Sequence, residues 1–190
     1  MGRPNWKLRR TQGNNRTKNF STCLKAAGEV KRYLEVGVAE GWSGRWWIEK
    51  SLKGNEGEYH GIDIWWDWKK DGLSGEQMRE RAVQNLDVEG FDAVNLLDGP
   101  CWEYLPKMEK LSFDVIYIDG DHGRIPVLGD SCLAWKLLRV GGVMLWDDYG
   151  MRSSGRPVKT SVDAFLKVIE GHWKEVSGIS SWQKGVIKTQ

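Results

Sequence analysis

The chain has 190 residues, of which 40% are hydrophobic and 28% charged, with a formal net charge of +2 at pH 7. That length suits one domain, spanning residues 1–190, with room for a sizeable core. The near-neutral balance gives no electrostatic argument for a nucleic-acid or membrane partner. Three cysteines, Cys23, Cys101 and Cys132, are too widely spaced for a zinc site and odd in number for a disulfide framework. They favour a reducing compartment. No apolar run approaches the ~20 residues of a membrane span, and the start lacks a signal-peptide core, so a soluble, cytoplasmic protein is expected. Twelve tryptophans are more than a core needs, which leaves some for a ligand wall.

Residues 1–19 are polar and basic, with Arg3, Lys7, Arg9, Arg10, Arg16 and Lys18. They read as a solvated flexible arm, or else as a segment that orders over a site or meets an acidic partner. Residues 20–28 suit a short helix stopped by Gly28. Tyr33, Leu34, Val36 and Val38 then form a strand apolar enough for burial on both faces. Gly37 and Gly41 follow in a tight turn, and Trp42, Trp46, Ile48 and Leu52 switch to helical spacing. Such a strand–turn–helix presents backbone N–H groups where nucleotide-like ligands bind.

Glu58 to Ile64 is a second strand, followed by a loop holding Trp65, Trp66 and Trp68. Ser74 and Gln77 form a capping box for a helix with Met78, Ala82, Val83 and Leu86 inward. Ala93–Leu97 is a third strand, broken by Gly99-Pro100, and 102–110 is a short helix. Phe113–Ile118 is the fourth strand and runs into Asp119-Gly120-Asp121-His122. The next helix is expected to bury Leu128, Cys132, Trp135 and Leu138. Val140-Gly141-Gly142 turns into a fifth strand, Val143–Trp146, ending in Asp147-Asp148-Tyr149. Residues 150–157 are a loop with Gly155 and Pro157. Val162, Phe165, Leu166 and Ile169 mark a last helix, and 173–179 and 182–187 form an antiparallel edge pair. This alternation predicts a Rossmann-like, doubly wound α/β fold with a mostly parallel seven-stranded sheet.

Parallel strands end on one edge, and ligands bind in the crevice there. Asp63, Asp119 and Asp147/Asp148 all end strands, so they converge. Asp63, 26 residues after Gly37, can accept hydrogen bonds from both hydroxyls of a ribose, with Trp65 and Trp66 beside it for an adenine or as a plain hydrophobic lid. Asp119, Asp147 and Asp148 form an oxygen-rich cluster suited to Mg²⁺ or another divalent cation, with Asp121 a rival ligand. Without a cation the carboxylates would raise one another's pKa. His122, with a reference pKa near about 6.5, can serve as a general base or simply as a loop hydrogen-bonder.

The turn lacks the Gly-x-Gly-x-x-Gly of nicotinamide dehydrogenases. Glu35-Val36-Gly37, three residues, then Gly41-Trp42-Ser43 resembles motif I of the class I S-adenosylmethionine-dependent methyltransferases, especially the catechol-type O-methyltransferases. Gly61-Ile62-Asp63 is similar to their ribose motif, and Gly99-Pro100-Cys101-Trp102-Glu103 to their adenine-side motif. The Ile118-Asp119-Gly120-Asp121-His122 and Asp147-Asp148-Tyr149 runs resemble a bacterial and phage group that includes cephalosporin-hydroxylase-like proteins. The resemblance spans about residues 30–150.

It implies that Glu35, Gly37, Gly41 and Ser43 hold the methionine part of S-adenosylmethionine, that Asp63 with Ile64 holds the ribose, that Cys101 borders the adenine, and that Asp119 lies at both donor and metal. It further implies Asp119, Asp147 and Asp148 as metal ligands and His122, with Asp119, as the catalytic pair. Two positions depart from the catechol-type pattern: Asp148 stands where Asn is usual, and His122 where Lys is usual. The expected activity is O-methylation of a small-molecule or sugar hydroxyl assisted by a divalent cation. The alternatives are metal-independent methylation of a sugar or nitrogen, and a non-catalytic donor-binding accessory. DNA base methylation is disfavoured, as no Asn-Pro-Pro-Tyr-like run is present. A homodimer is allowed. The acceptor wall is expected from residues 1–20, 65–73 and 150–158.

Overall fold

Seven strands form one sheet: β1 (Arg32–Val36), β2 (Glu58–Asp63), β3 (Val94–Asp98), β4 (Phe113–Ile118), β5 (Leu138–Trp146), β6 (Trp173–Glu175) and β7 (Lys184–Lys188). Their order is β3-β2-β1-β4-β5-β7-β6. The first five run parallel, and β7 pairs antiparallel with both β5 and β6. This is the Rossmann-like sheet with an antiparallel C-terminal pair that the strand–helix alternation predicts. The structure is a computed structural model, and it describes residues 14–67, 72–152 and 158–190. The basic stretch up to residue 13, residues 68–71 after β2, and Gly155 and Pro157 lie outside the described residues.

Helices cover both faces, as a parallel sheet requires. Tyr33, Tyr59, Val115, Tyr117, Val143 and Leu145 point to one face. There they meet α1 (Asn14–Ala27), α2 (Trp42–Lys50) and α3 (Gly75–Leu86). Phe20 of α1 ties this layer together, its ring centroid 5.2 Å from Tyr117 and 5.3 Å from Trp46. Leu34, Val36, Ile62, Ile116, Ile118, Met144 and Trp146 point to the other face. They pack on α4 (Cys101–Tyr104), α5 (Arg124–Trp135) and α6 (Val158–Val168). All six residues of β4 are buried, as its central place predicts. The capping box of α3 is present, with Ser74 accepting from Gln77 N.

Four expectations need correction. The first helix begins at Asn14, six positions before the predicted start at residue 20, so residues 14–19 are not part of a free arm. They carry no apolar residue to reveal the period; polar contacts hold them instead. Asn19 is buried, donating to Ser180 Oγ at 2.9 Å and Gln183 Oε1 at 2.7 Å and accepting from Ser180 N at 3.0 Å. On α5 the buried face is Val127, Asp130, Ser131 and Ala134, and Cys132 is exposed. The two polar members hid that face: Asp130 accepts from the Cys101 thiol, and Ser131 accepts from Trp146 Nε1 at 2.8 Å. The short helix at 102–110 is one α turn followed by a 3-10 turn over Leu105–Lys107. Finally, β5 starts at Leu138 and runs through Gly141 and Gly142 with a register irregularity against β4. No described helix is long and apolar enough to cross a membrane.

Removing the Asn19 side chain leaves Gln183 and the Ser180 N–H without their buried partner, which costs about 1–3 kcal/mol. Asn19→Ala should lower stability by that amount in denaturant titration. A variant as stable as wild type would contradict the docking of α1.

Candidate active site at the carboxyl edge of the sheet

The parallel register sets Val36 beside both Ile62 and Ile118, and Ile118 beside Trp146. The residues one step further therefore form a row: Asp63, Gly37, Asp119 and Asp147. Backbone hydrogen bonds fasten it. Gly37 N donates to Ile62 O at 2.9 Å, Asp119 N to Val36 O at 2.8 Å, and Asp147 N to Ile118 O at 3.0 Å. Gly37 has φ +90°, and a Cβ there would stand 2.2 Å from the Asp119 carbonyl oxygen. Only glycine fits a turn that passes so close to a neighbouring strand end. Gly41, at φ +76°, occupies the N-cap of α2 in the left-handed region.

Asp63 builds this turn. Its Oδ2 accepts from Val38 N at 2.7 Å and Ala39 N at 2.8 Å, and its Oδ1 accepts from Trp65 N at 2.8 Å. A carboxylate has about four acceptor positions, so one remains for a ligand hydroxyl. Trp65 is turned down, its Nε1 donating to Asp98 at 2.9 Å. Trp66 is 65% exposed, Ile64 42% and Trp102 64%. These three apolar side chains follow the ends of β2 and β3.

Glu35 lies wholly inside. Its Oε1 accepts from Ser43 Oγ and its Oε2 accepts from Tyr59 OH at 2.5 Å. Burial pushes its pKa up to about 8, although both hydrogen bonds oppose the shift. The sequence places Glu35 and Ser43 together at the turn, as observed, but gives no sign of Tyr59. Cys101 begins α4 and donates its thiol to Asp130 Oδ1 at 2.7 Å. Burial, with the Asp130 charge beside it, raises that thiol's pKa far above the usual range, so it is an inert lining group.

The carboxylates after β4 and β5 converge. His122 Nε2 lies 3.6 Å from Asp119 Oδ1 and 3.2 Å from Asp148 Oδ2. Donor atoms of Asp119, His122 and Asp148 all fall within 4.8 Å of one another, a spacing and ligand chemistry that fit one divalent cation. Asp147, expected in that set, points inward: its side chain is fully buried, and Oδ1 accepts from Gln183 Nε2 at 3.0 Å. Tyr117 OH donates to Asp119 Oδ2 at 3.2 Å.

Arg16, from the basic stretch expected either as a free arm or as a segment ordering over a site, reaches this cluster. Its guanidinium sits against Asp147 Oδ2, with Nη1 at 3.8 Å from Asp119 Oδ2 and Nη2 at 4.0 Å from Asp148 Oδ1. That contact with Asp147 Oδ2 lacks hydrogen-bond alignment, so the buried oxygen has a cation beside it and no donor aimed at it. Burial and then the Asp147 charge push Asp119 up to about 7, and the same causes raise Asp148. The Asp119 carboxylate raises His122 above its ordinary value against the opposing effect of burial. The indole of Trp182 lies beside Asp148, where it opposes the upward shift of that carboxyl, and is 47% exposed. Asp121 is turned to its own loop, accepting from Gly123 N at 2.6 Å.

A mostly parallel seven-stranded sheet with an antiparallel β7, a glycine turn after β1 and acids ending the flanking strands fits a methyltransferase fold. A family model described as a methyltransferase domain matches residues 34–149. The chain belongs to that family and is a methyltransferase. Many solved structures share its fold, three of them as follows. The O-methyltransferase NovP aligns with TM-score 0.72 at 19% identity, over 94% of this chain and 81% of that one. An O-methyltransferase from Bacillus cereus in complex with SAH aligns with TM-score 0.63 at 20% identity, over 93% and 82%. TomG from Streptomyces achromogenes, an O-methyltransferase involved in tomaymycin synthesis and in complex with SAM, gives 0.62 at 16% identity, over 92% and 80%. No curated protein sequence matches the chain significantly.

Glu35 provides a pH test. The folded chain keeps its proton up to about pH 8, whereas an unfolded glutamate releases it near about 4.3. Between those values the folded state binds more protons, so this group's contribution to stability falls as pH rises. In thermal melts across that window, wild type should lose stability relative to Glu35→Gln. Parallel curves would contradict a buried, protonated Glu35.

Proposed function

We propose that the chain transfers the methyl group of S-adenosylmethionine to a hydroxyl of a small-molecule or sugar acceptor, with a divalent cation assisting. One observation carries the reading: the glycine turn after β1 lies on the same sheet edge as a carboxylate–histidine cluster, with only one strand end between Gly37 and Asp147. The neighbours solved with SAH and SAM, and their description as O-methyltransferases, support it.

Bound S-adenosylmethionine supplies a methyl group on a sulfonium that leaves as a neutral thioether. The chain's residues then have these roles. Gly37 and Gly41 shape the tight turn between β1 and α2, and the backbone N–H groups at the start of α2 would serve the donor's charged groups. Asp63 offers its last acceptor position to a ribose hydroxyl, with Ile64 and Trp66 as apolar cover. Cys101 lines the adenine side. Glu35 holds Ser43 in place from beneath the turn. Asp119 and Asp148 would hold a divalent cation, joined by Asp147 if Arg16 moves aside, and that cation would supply Lewis acidity toward the acceptor oxygen. His122 takes the acceptor's proton, the oxygen–carbon bond forms as the sulfur–carbon bond breaks, and the fixed edge aligns the two in line.

A metal-independent variant of the same reaction is the second reading. Arg16 favours it, because a guanidinium already lies among the carboxylates. The indole of Trp182 beside Asp148 suits an acceptor with a flat ring or sugar face.

Tritiated S-adenosylmethionine tests the proposal against a panel of catechols, phenols and sugar hydroxyls. His122→Asn is expected to lower transfer about 10²-fold or more, the span of general-base catalysis, while S-adenosylhomocysteine affinity stays within about threefold. Transfer at the wild-type rate in that variant would reject His122 as the base.

A further inference from the structure

Arg16 is a surface-class residue in an unusual place. Only a fifth of its side chain is exposed, and it reaches three carboxylates from three directions. Asp119 and Asp148 each turn one oxygen toward Arg16 and the other toward His122. Asp147 is wholly buried, and among the described residues its Oδ2 has no aligned donor, only the guanidinium charge of Arg16 beside it. A buried carboxylate left without a counter-charge is strongly unfavourable. Something positive must therefore stand in this recess, and in the described residues Arg16 is what stands there.

A divalent cation at the same carboxylates would lie within a few ångströms of the guanidinium. Like charges at that range in a partly buried recess repel strongly. The recess accommodates Arg16 or a dication on Asp147, not both. Resting on the reading of this edge as the cation site, we propose that Arg16 is a tethered cation that fills the carboxylate recess, and that a divalent cation enters by displacing it. The device is built into α1. Asn19, one helical turn from Arg16, is held by Gln183, and Gln183 Nε2 in turn donates to Asp147 Oδ1 at 3.0 Å. Displacing Arg16 therefore loosens the first turns of α1 while the Asn19 anchor keeps the rest of the helix docked. Occupancy of the recess becomes readable at the chain's N-terminal helix.

The test uses Mn²⁺ alone, titrated by the loss of its free electron-paramagnetic-resonance signal, with no methyl donor present. Arg16→Met should bind Mn²⁺ at least tenfold more tightly than wild type. Arg16→Lys keeps the tethered charge and should stay within threefold of wild type. In wild type, saturating Mn²⁺ should speed amide hydrogen exchange across residues 14–19 and leave α5 unchanged; this measurement needs no variant. Equal or weaker binding by Arg16→Met, no binding by either protein, or unchanged or slowed exchange at 14–19 would overturn the proposal. S-adenosylhomocysteine titration of the same samples keeps its failure separate from that of the methyl-donor reading: donor binding with none of the metal effects sinks only the Arg16 switch.

Discussion

The carbonyl of Asp119 comes so close to Gly37 that no side chain fits between them. That approach follows from the parallel pairing of β1 with β4, which sets Val36 beside Ile118 and brings both strand ends to one level. Everything functional hangs on it. The turn must swing away with a positive φ, so its N–H groups fall to Asp63 on the other side. Asp119, held by its backbone N–H to Val36, is the hinge between turn and carboxylate cluster. A larger residue at position 37 would separate the two halves of the site.

Electrostatics then set the character of each half. The turn side holds one acid that is buried and biased to keep its proton, Glu35, and one that takes three backbone donors, Asp63. Ser43 and Tyr59 both donate to the Glu35 carboxyl beneath the turn. The cluster side does the opposite. It gathers Asp119, Asp147 and Asp148 with, among the described residues, His122 and Arg16 against them. Burial first, and their mutual repulsion after it, raise Asp119 and Asp148, and the gathered carboxylates attract positive charge to the recess. The sheet thereby separates a glycine turn with a buried acid beneath it from an edge that gathers three carboxylates.

Much of this was legible in the sequence, for identifiable reasons. The strands announced themselves by apolar runs, and the acids at their ends converge because parallel strands share an edge. Gly37, Gly41, Asp63 and Asp119 follow from local pattern alone. What escaped was polar and non-local. Arg16 was foreseen only as one member of a basic segment that orders over a site, while Asn19, in a stretch without apolar period, meets partners 161 and 164 residues away. Tyr59 and Tyr117 read as core aromatics, and they are, yet each also turns its hydroxyl to a site carboxylate. Asp130 sat on a helix face that apolar spacing assigns to solvent, although Cys101 makes it a buried partner. Asp147 was read as pointing with Asp148, whereas adjacent residues leaving a strand diverge, and only Asp148 with its φ of +52° faces His122.

The most direct measurement is isothermal titration of the chain with S-adenosylhomocysteine. The account predicts saturable heat at one site per chain, weakened when Asp63 is replaced by alanine. No heat above background from a chain whose circular dichroism shows an intact α/β fold would contradict it.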